Sequence, residues 1–139
     1  MILRLTKEFS FDMAHALTGY DGKCRNIHGH TYHLFVTVEG EPLRDNASPK
    51  DGMVLDFSEI KRLVNEVVVE RFDHALVLPK STPYSTDIDT KMVVTDFQPT
   101  TENLLLHFAQ LLQPAMPHGA RLHSLKLYET ETSSAELIL

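Results

Sequence analysis

The feature that most constrains this chain is a pair of strand-like runs near its start, joined by a short polar segment. In Leu3–Ala16, Phe9, Phe11, Met13 and His15 fall at every second position and share one face of a strand. Tyr20-Asp21-Gly22-Lys23 reads as a turn or loop. His28–Glu39, rich in Thr, Tyr, Phe and Val, reads as a second strand.

The remaining signals alternate helix and strand. Residues 40–52 hold Pro42, Asn46, Pro49 and Gly52 and read as a loop. Asp56 to about Arg71 is expected to be helical, with Asp56 as the N-cap and Glu59 placed for a capping box. Ile60, Leu63, Val64, Val67 and Val68 form its apolar stripe, although the β-branched run Val67-Val68-Val69 weakens helix propensity. Residues 79–91 form a polar loop, flanked by short strands at 76–78 and 92–95. A second helix runs from about Thr101 to Gln113, capped by Thr100 and ended by Pro114 and Pro117. Leu122–Glu129 and Ala135–Leu139 read as strands. The order strand, strand, helix, helix, strand, strand is an α+β pattern, and 139 residues suit a single domain over 1–139.

The formal net charge of −6 argues against a general nucleic-acid or membrane-surface role, which calls for a basic face. It leaves room for a small anionic ligand. Cys24 is the only cysteine, so no intrachain disulfide forms, and the chain is expected in a reducing, cytoplasmic setting. The opening MILRLTKEFSFD lacks the apolar core of a signal peptide, and no stretch approaches the roughly 20 apolar residues that span a bilayer.

The chemistry concentrates in Cys24-Arg25-Asn26-Ile27-His28-Gly29-His30. A two-residue offset on a strand turns His28 and His30 to one face, and Gly29 removes bulk from the other. His15 ends the inward face of the preceding strand, so pairing of the two strands lets three imidazoles converge. Three histidines with an open position are the ligand set of a catalytic zinc site, although cobalt, nickel or iron could occupy it too. A single histidine is more often packed or solvated, which is the expectation for His33, His107, His118 and His123. Cys24 has two readings. As a fourth ligand it would close the shell and make the metal structural; as a free thiol beside the metal it would ionise readily and act as a base.

Three further features are ambiguous from physics alone. Asp73-His74 follows the first helix and suits either a carboxylate-oriented proton carrier or a histidine favoured by the helix C-terminus. Glu129 shares a strand face with Leu125 and Leu127, where a carboxylate needs a partner; a ligand with two adjacent N–H donors would serve, or the strand ends there in solvent. Pro99-Thr100-Thr101-Glu102-Asn103 reads first as a helix start.

Taken together, FSFDMAH (9–15), CRNIHGH (24–30), GMVLDFSEIK (52–61), DH (73–74), PTTEN (99–103) and YET (128–130) resemble the family of 6-pyruvoyl- and 6-carboxy-tetrahydropterin synthases across nearly the whole chain. The resemblance implies the T-fold: an antiparallel sheet with two helices on one face, assembled into a barrel-like oligomer, a hexamer in the family. It implies Zn2+ held by His15, His28 and His30. It makes Cys24 the proton acceptor, His74 its partner oriented by Asp73, and Glu129 the anchor of the pterin's aminopyrimidine edge, with Thr101 and Glu102 as further substrate-binding residues. Family active sites lie at subunit interfaces, so Asp73 and His74 would serve a neighbouring chain's Cys24. Three residues between the cysteine and HGH resemble the bacterial 6-carboxy enzymes of queuosine biosynthesis, whereas animal-type pyruvoyl enzymes show a wider gap. The expected substrate is 7,8-dihydroneopterin triphosphate, with Lys23 and Arg25 as triphosphate contacts by charge and proximity. A pyruvoyl-forming synthase and a non-catalytic, zinc-stabilised pterin-binding module are the alternatives. Two departures from the family bear on substrate detail: Ala-Leu-Val-Leu after His74, and the length of the loop at 79–91.

Overall fold

The alternation at 3–15 and 28–40 resolves into two long strands, β1 (Leu3–His15) and β2 (His28–Gly40), paired antiparallel from Leu3↔Gly40 to His15↔His28. The computed structural model describes residues 1–139. β2 also pairs antiparallel with β5 (Ala120–Thr130), which pairs antiparallel with β6 (Ser133–Ile138). On the other side of β1 lie β3 (Ala75–Pro79) and β4 (Met92–Thr95), giving the order β4-β3-β1-β2-β5-β6.

The sheet is mixed rather than wholly antiparallel, because β3 runs parallel to β1 and β4 parallel to β3. Parallel neighbours need a crossover of about a dozen residues or more. The helical segment after β2 supplies the first crossover, and residues 80–91 supply the second. That second crossover is the loop whose length stood out in the sequence.

α1 (Phe57–Val64) continues through a π-helical turn, Asn65–Val69, into the short α2 (Glu70–Phe72). The π turn falls on Val67-Val68-Val69. β-branched side chains crowd the preceding turn of an α-helix, and a widened turn relieves that crowding. The capping box does not form. Asp56 accepts from the Ser58 backbone N–H at 2.8 Å, while the Glu59 carboxylate turns away to pair with Lys50. Asp56→Ala therefore removes a single cap and is expected to lower the urea midpoint with an unchanged m-value.

α3 (Thr101–Leu112) begins at Thr100, whose hydroxyl accepts from the Asn103 N–H at 3.2 Å, and tightens into a 3-10 turn at Gln113–Ala115, where Pro114 cannot continue the ladder. Both helical segments cover one sheet face. Phe9, Phe11 and Met13 of β1 and Tyr32, Leu34 and Val36 of β2 pack with Ile60, Val64, Phe72, Leu104 and Phe108 in one core. Phe108 makes edge contacts with Phe11 and Phe72 at 6.2 and 5.2 Å. At the far end of β2 the Gly119 carbonyl would lie 2.4 Å from a Cβ on Gly40, so only glycine fits there.

Candidate metal centre and active site

Strand register creates the site. His15 and His28 face one another across β1 and β2, and His30 lies opposite Met13, two residues along the same face. The imidazole centroids are 4.6 Å (His15–His28), 4.9 Å (His28–His30) and 5.3 Å (His15–His30) apart. One ring nitrogen from each lies within 4.8 Å of the others.

Hydrogen bonding fixes which nitrogens face inward. His15 Nδ1 donates to the Pro99 carbonyl at 2.7 Å, and His28 Nδ1 to the Asn26 carbonyl at 2.7 Å. A carbonyl only accepts, so both Nδ1 atoms carry protons, and in the neutral tautomer that this leaves, each Nε2 presents a lone pair. Those two Nε2 atoms stand 3.1 Å apart. Nε2 of His30 is buried without a hydrogen-bond partner; the Glu129 carboxylate comes no nearer than 3.5 Å. Burial is the largest influence on His15 and His30 and pushes both below 6.5, against the Pro99 carbonyl in one case and Glu129 in the other. Converging neutral imidazoles repel one another and leave a buried nitrogen unpaired, so this donor set fits a divalent cation.

Two residues beyond His30, on the same face, Tyr32 is wholly buried, and its ring stacks on Phe11 at 5.5 Å. Its hydroxyl has no protein partner, and burial pushes its ionisation upward. A Cβ at Gly29 would meet Met13 O at 3.5 Å, an ordinary contact, so packing within the chain does not demand glycine there.

Cys24 sits in a 3-10 turn, Lys23–Arg25, inside the β1–β2 connection. Its carbonyl accepts from Leu17 N–H at 2.8 Å, and the Tyr84 hydroxyl, from the 80–91 crossover, donates to the Arg25 carbonyl at 3.1 Å. Gln98 clamps the same connection, its side-chain amide bonding both the N–H and the carbonyl of Thr18. Cys24 lines a pocket of about 270 Å³ with His15, Thr101, Glu102, Glu129 and Ser133, yet it is not part of the three-histidine cluster. The Thr101 hydroxyl donates to Glu129 Oε2 at 2.9 Å, which holds the carboxylate in place.

Lys23 and Arg25 flank Cys24 in the chain, but neither lines that pocket. Asp73 and His74 are not brought to Cys24 either. Residues alternating with Met13, His15, His28 and His30 point to the opposite sheet face, and there Asp12, Ala14, Gly29 and Thr31 line a separate recess of about 450 Å³ with His74. His74 is 75% exposed in its side chain, and its Nδ1 lies 2.9 Å from Asp73 Oδ1. Burial pushes the Asp73 carboxyl up, but the Asp12 N–H, the His74 ring and the Lys91 ammonium outweigh it, so its net direction is downward. Of the other histidines, His33 meets Glu8 at 3.0 Å, and His107 packs against Phe72 and Phe97.

Sequence reasoning missed the orienting carbonyls of Pro99 and Asn26, the Gln98 clamp and the Tyr84 contact. A carbonyl carries no side-chain signal, and nothing in the sequence around Gln98 or Tyr84 marks either as long-range.

The fold and site define a member of a recognised family. Residues 4–138 match the family described as 6-pyruvoyl tetrahydropterin synthase, and the chain belongs to it. Among its relatives, the 6-carboxy-5,6,7,8-tetrahydropterin synthase of Haemophilus influenzae is 37% identical over 144 residues, covering 97% of this chain and 98% of that one. The human 6-pyruvoyl tetrahydrobiopterin synthase is 33% identical over 114 residues, 81% of this chain and 68% of that one. A crystal structure of 6-pyruvoyl tetrahydropterin synthase from Plasmodium vivax aligns with a TM-score of 0.75 at 21% identity, over 99% of this chain and 97% of that one, and so shares the T-fold. No helix is long and apolar enough to cross a membrane.

Proposed function

We propose that this protein converts 7,8-dihydroneopterin triphosphate and water to 6-carboxy-5,6,7,8-tetrahydropterin, acetaldehyde and triphosphate, as a cytoplasmic enzyme of queuosine biosynthesis. The observation that carries the reading is a single pocket holding the Cys24 thiol, the His15 end of the imidazole cluster and the Thr101-pinned Glu129 carboxylate. The relative from Haemophilus influenzae, named for the 6-carboxy product and matched end to end, supports that product. The three residues between Cys24 and His28 agree with it.

In this reading His15, His28 and His30 hold Zn2+, which when bound supplies Lewis-acid polarisation of substrate oxygens. Glu129 accepts two N–H bonds from the aminopyrimidine edge, a planar paired contact that fixes the pterin's orientation. The Thr101 bond to Oε2 removes rotameric freedom that binding would otherwise have to freeze. Glu102 lines the same pocket. Cys24, as thiolate, takes a proton from the substrate side chain. His74, aligned by Asp73, exchanges protons with it. Because His74 stands exposed beside a recess on the opposite face, it acts on the Cys24 of a neighbouring copy in a homo-oligomer, a hexamer by family resemblance. Lys23 and Arg25 are the cations proposed for the triphosphate.

Incubation with 7,8-dihydroneopterin triphosphate is expected to yield acetaldehyde in step with the carboxy product. A pyruvoyl product without acetaldehyde would instead favour the sister activity of the human relative.

A further inference from the structure

His74 is the one non-glycine residue with a positive φ, at +60°. The left-handed region is unfavourable for a non-glycine residue and persists where the surroundings over-determine it. Here they do. His74 N–H donates to the Asp12 carbonyl at 2.6 Å, and the Asp12 N–H donates back to Asp73 Oδ1 at 3.0 Å. The same carboxylate oxygen holds His74 Nδ1. This ties the turn to β1 but leaves its helical side, where α2 ends at Phe72, with Asp73 as its C-cap, and has open carbonyls.

Lys91 closes that side. Its ammonium donates to the carbonyls of Glu70 and Asp73 at 2.5 and 2.6 Å, the position where a helix C-terminus favours a cation. Its own carbonyl accepts from Leu76 N–H at 2.9 Å, which fastens the base of the side chain beside β3. The last residue of the 80–91 crossover thus grips the carbonyls of the turn that aims the imidazole.

We propose that Lys91 is a positioning residue, fixing the Asp73–His74 turn so that the ring is held in one direction. It touches no reacting atom and acts only through His74. The proposal rests on the assignment of His74 to proton transfer made above.

The test is a double-variant cycle on the full-length protein with 7,8-dihydroneopterin triphosphate. Lys91→Met is expected to lower kcat by roughly tenfold to a hundredfold, the scale of a slightly misplaced catalytic group, with KM and metal content unchanged. Lys91→Arg, which keeps a cation able to reach both carbonyls, should restore most of the rate. In a His74→Ala background, Lys91→Met should cost nothing further. An unaffected kcat in Lys91→Met beside a crippled His74→Ala overturns the proposal alone, as do losses that multiply independently in the double variant. Full turnover by His74→Ala overturns the His74 assignment and this proposal with it. Should Lys91→Met not fold, Lys91→Gln, which keeps an N–H donor group and loses the charge, goes through the same cycle under the same criteria.

Discussion

Replacing Cys24 by alanine is expected to leave metal content unchanged and to lower turnover by roughly 10²–10⁴-fold, the contribution of a positioned proton-transfer group. The metal half of this expectation follows from the cluster. The three converging nitrogens belong to His15, His28 and His30, and Cys24 lines the adjoining pocket without joining them. The turnover half follows from its placement. A turn tied down through Leu17 and Tyr84 presents the only thiol beside the carboxylate that would anchor the pterin. Plasma emission analysis of metal per chain, beside an activity assay, checks both halves. Loss of metal from Cys24→Ala would instead identify a closed four-ligand site and a binding module.

The second large effect is expected from the histidines. His28→Ala should weaken metal binding well beyond the roughly 10–100-fold that loss of an outer-shell partner costs, and should abolish turnover. His15→Ala should do the same and also destabilise the fold. His15 is 2% exposed, and removing its ring leaves the Pro99 carbonyl without its donor, worth about 1–3 kcal/mol. His28 is less buried, so its variant separates metal loss from fold damage. Competition with a chromophoric chelator measures the first effect, and urea unfolding of the metal-free variants measures the second. Wild-type affinity in His28→Ala would remove that residue from the ligand set.

Much of this was legible in the residues because it depends on period and register. Alternation through Phe9, Phe11, Met13 and His15 put three apolar side chains in the core and the histidine at its edge. The two-residue offset of His28 and His30 needed only a paired strand to become a cluster. What could not be read depends on where the chain goes after leaving a strand. Period-two patterning does not distinguish a parallel neighbour from an antiparallel one, so the placement of β3 and β4 emerged only from the crossovers. The Glu59 carboxylate was claimed by Lys50, a competitor outside the capping motif. Asp73-His74 stands next in chain to a helix that packs on the core, yet His74 lines a recess on the opposite sheet face. Adjacency of motifs in a family pattern carries no information about which copy of the chain they serve.

The claim on which the account turns is that nitrogen alone, from this chain, surrounds the metal. X-ray absorption at the metal edge of zinc-loaded protein reads this directly. A shell of nitrogen or oxygen scatterers at about 2.0–2.1 Å is expected, with the imidazole outer-shell pattern and no sulfur. A sulfur shell at about 2.3 Å would place the Cys24 thiolate on the metal and contradict it.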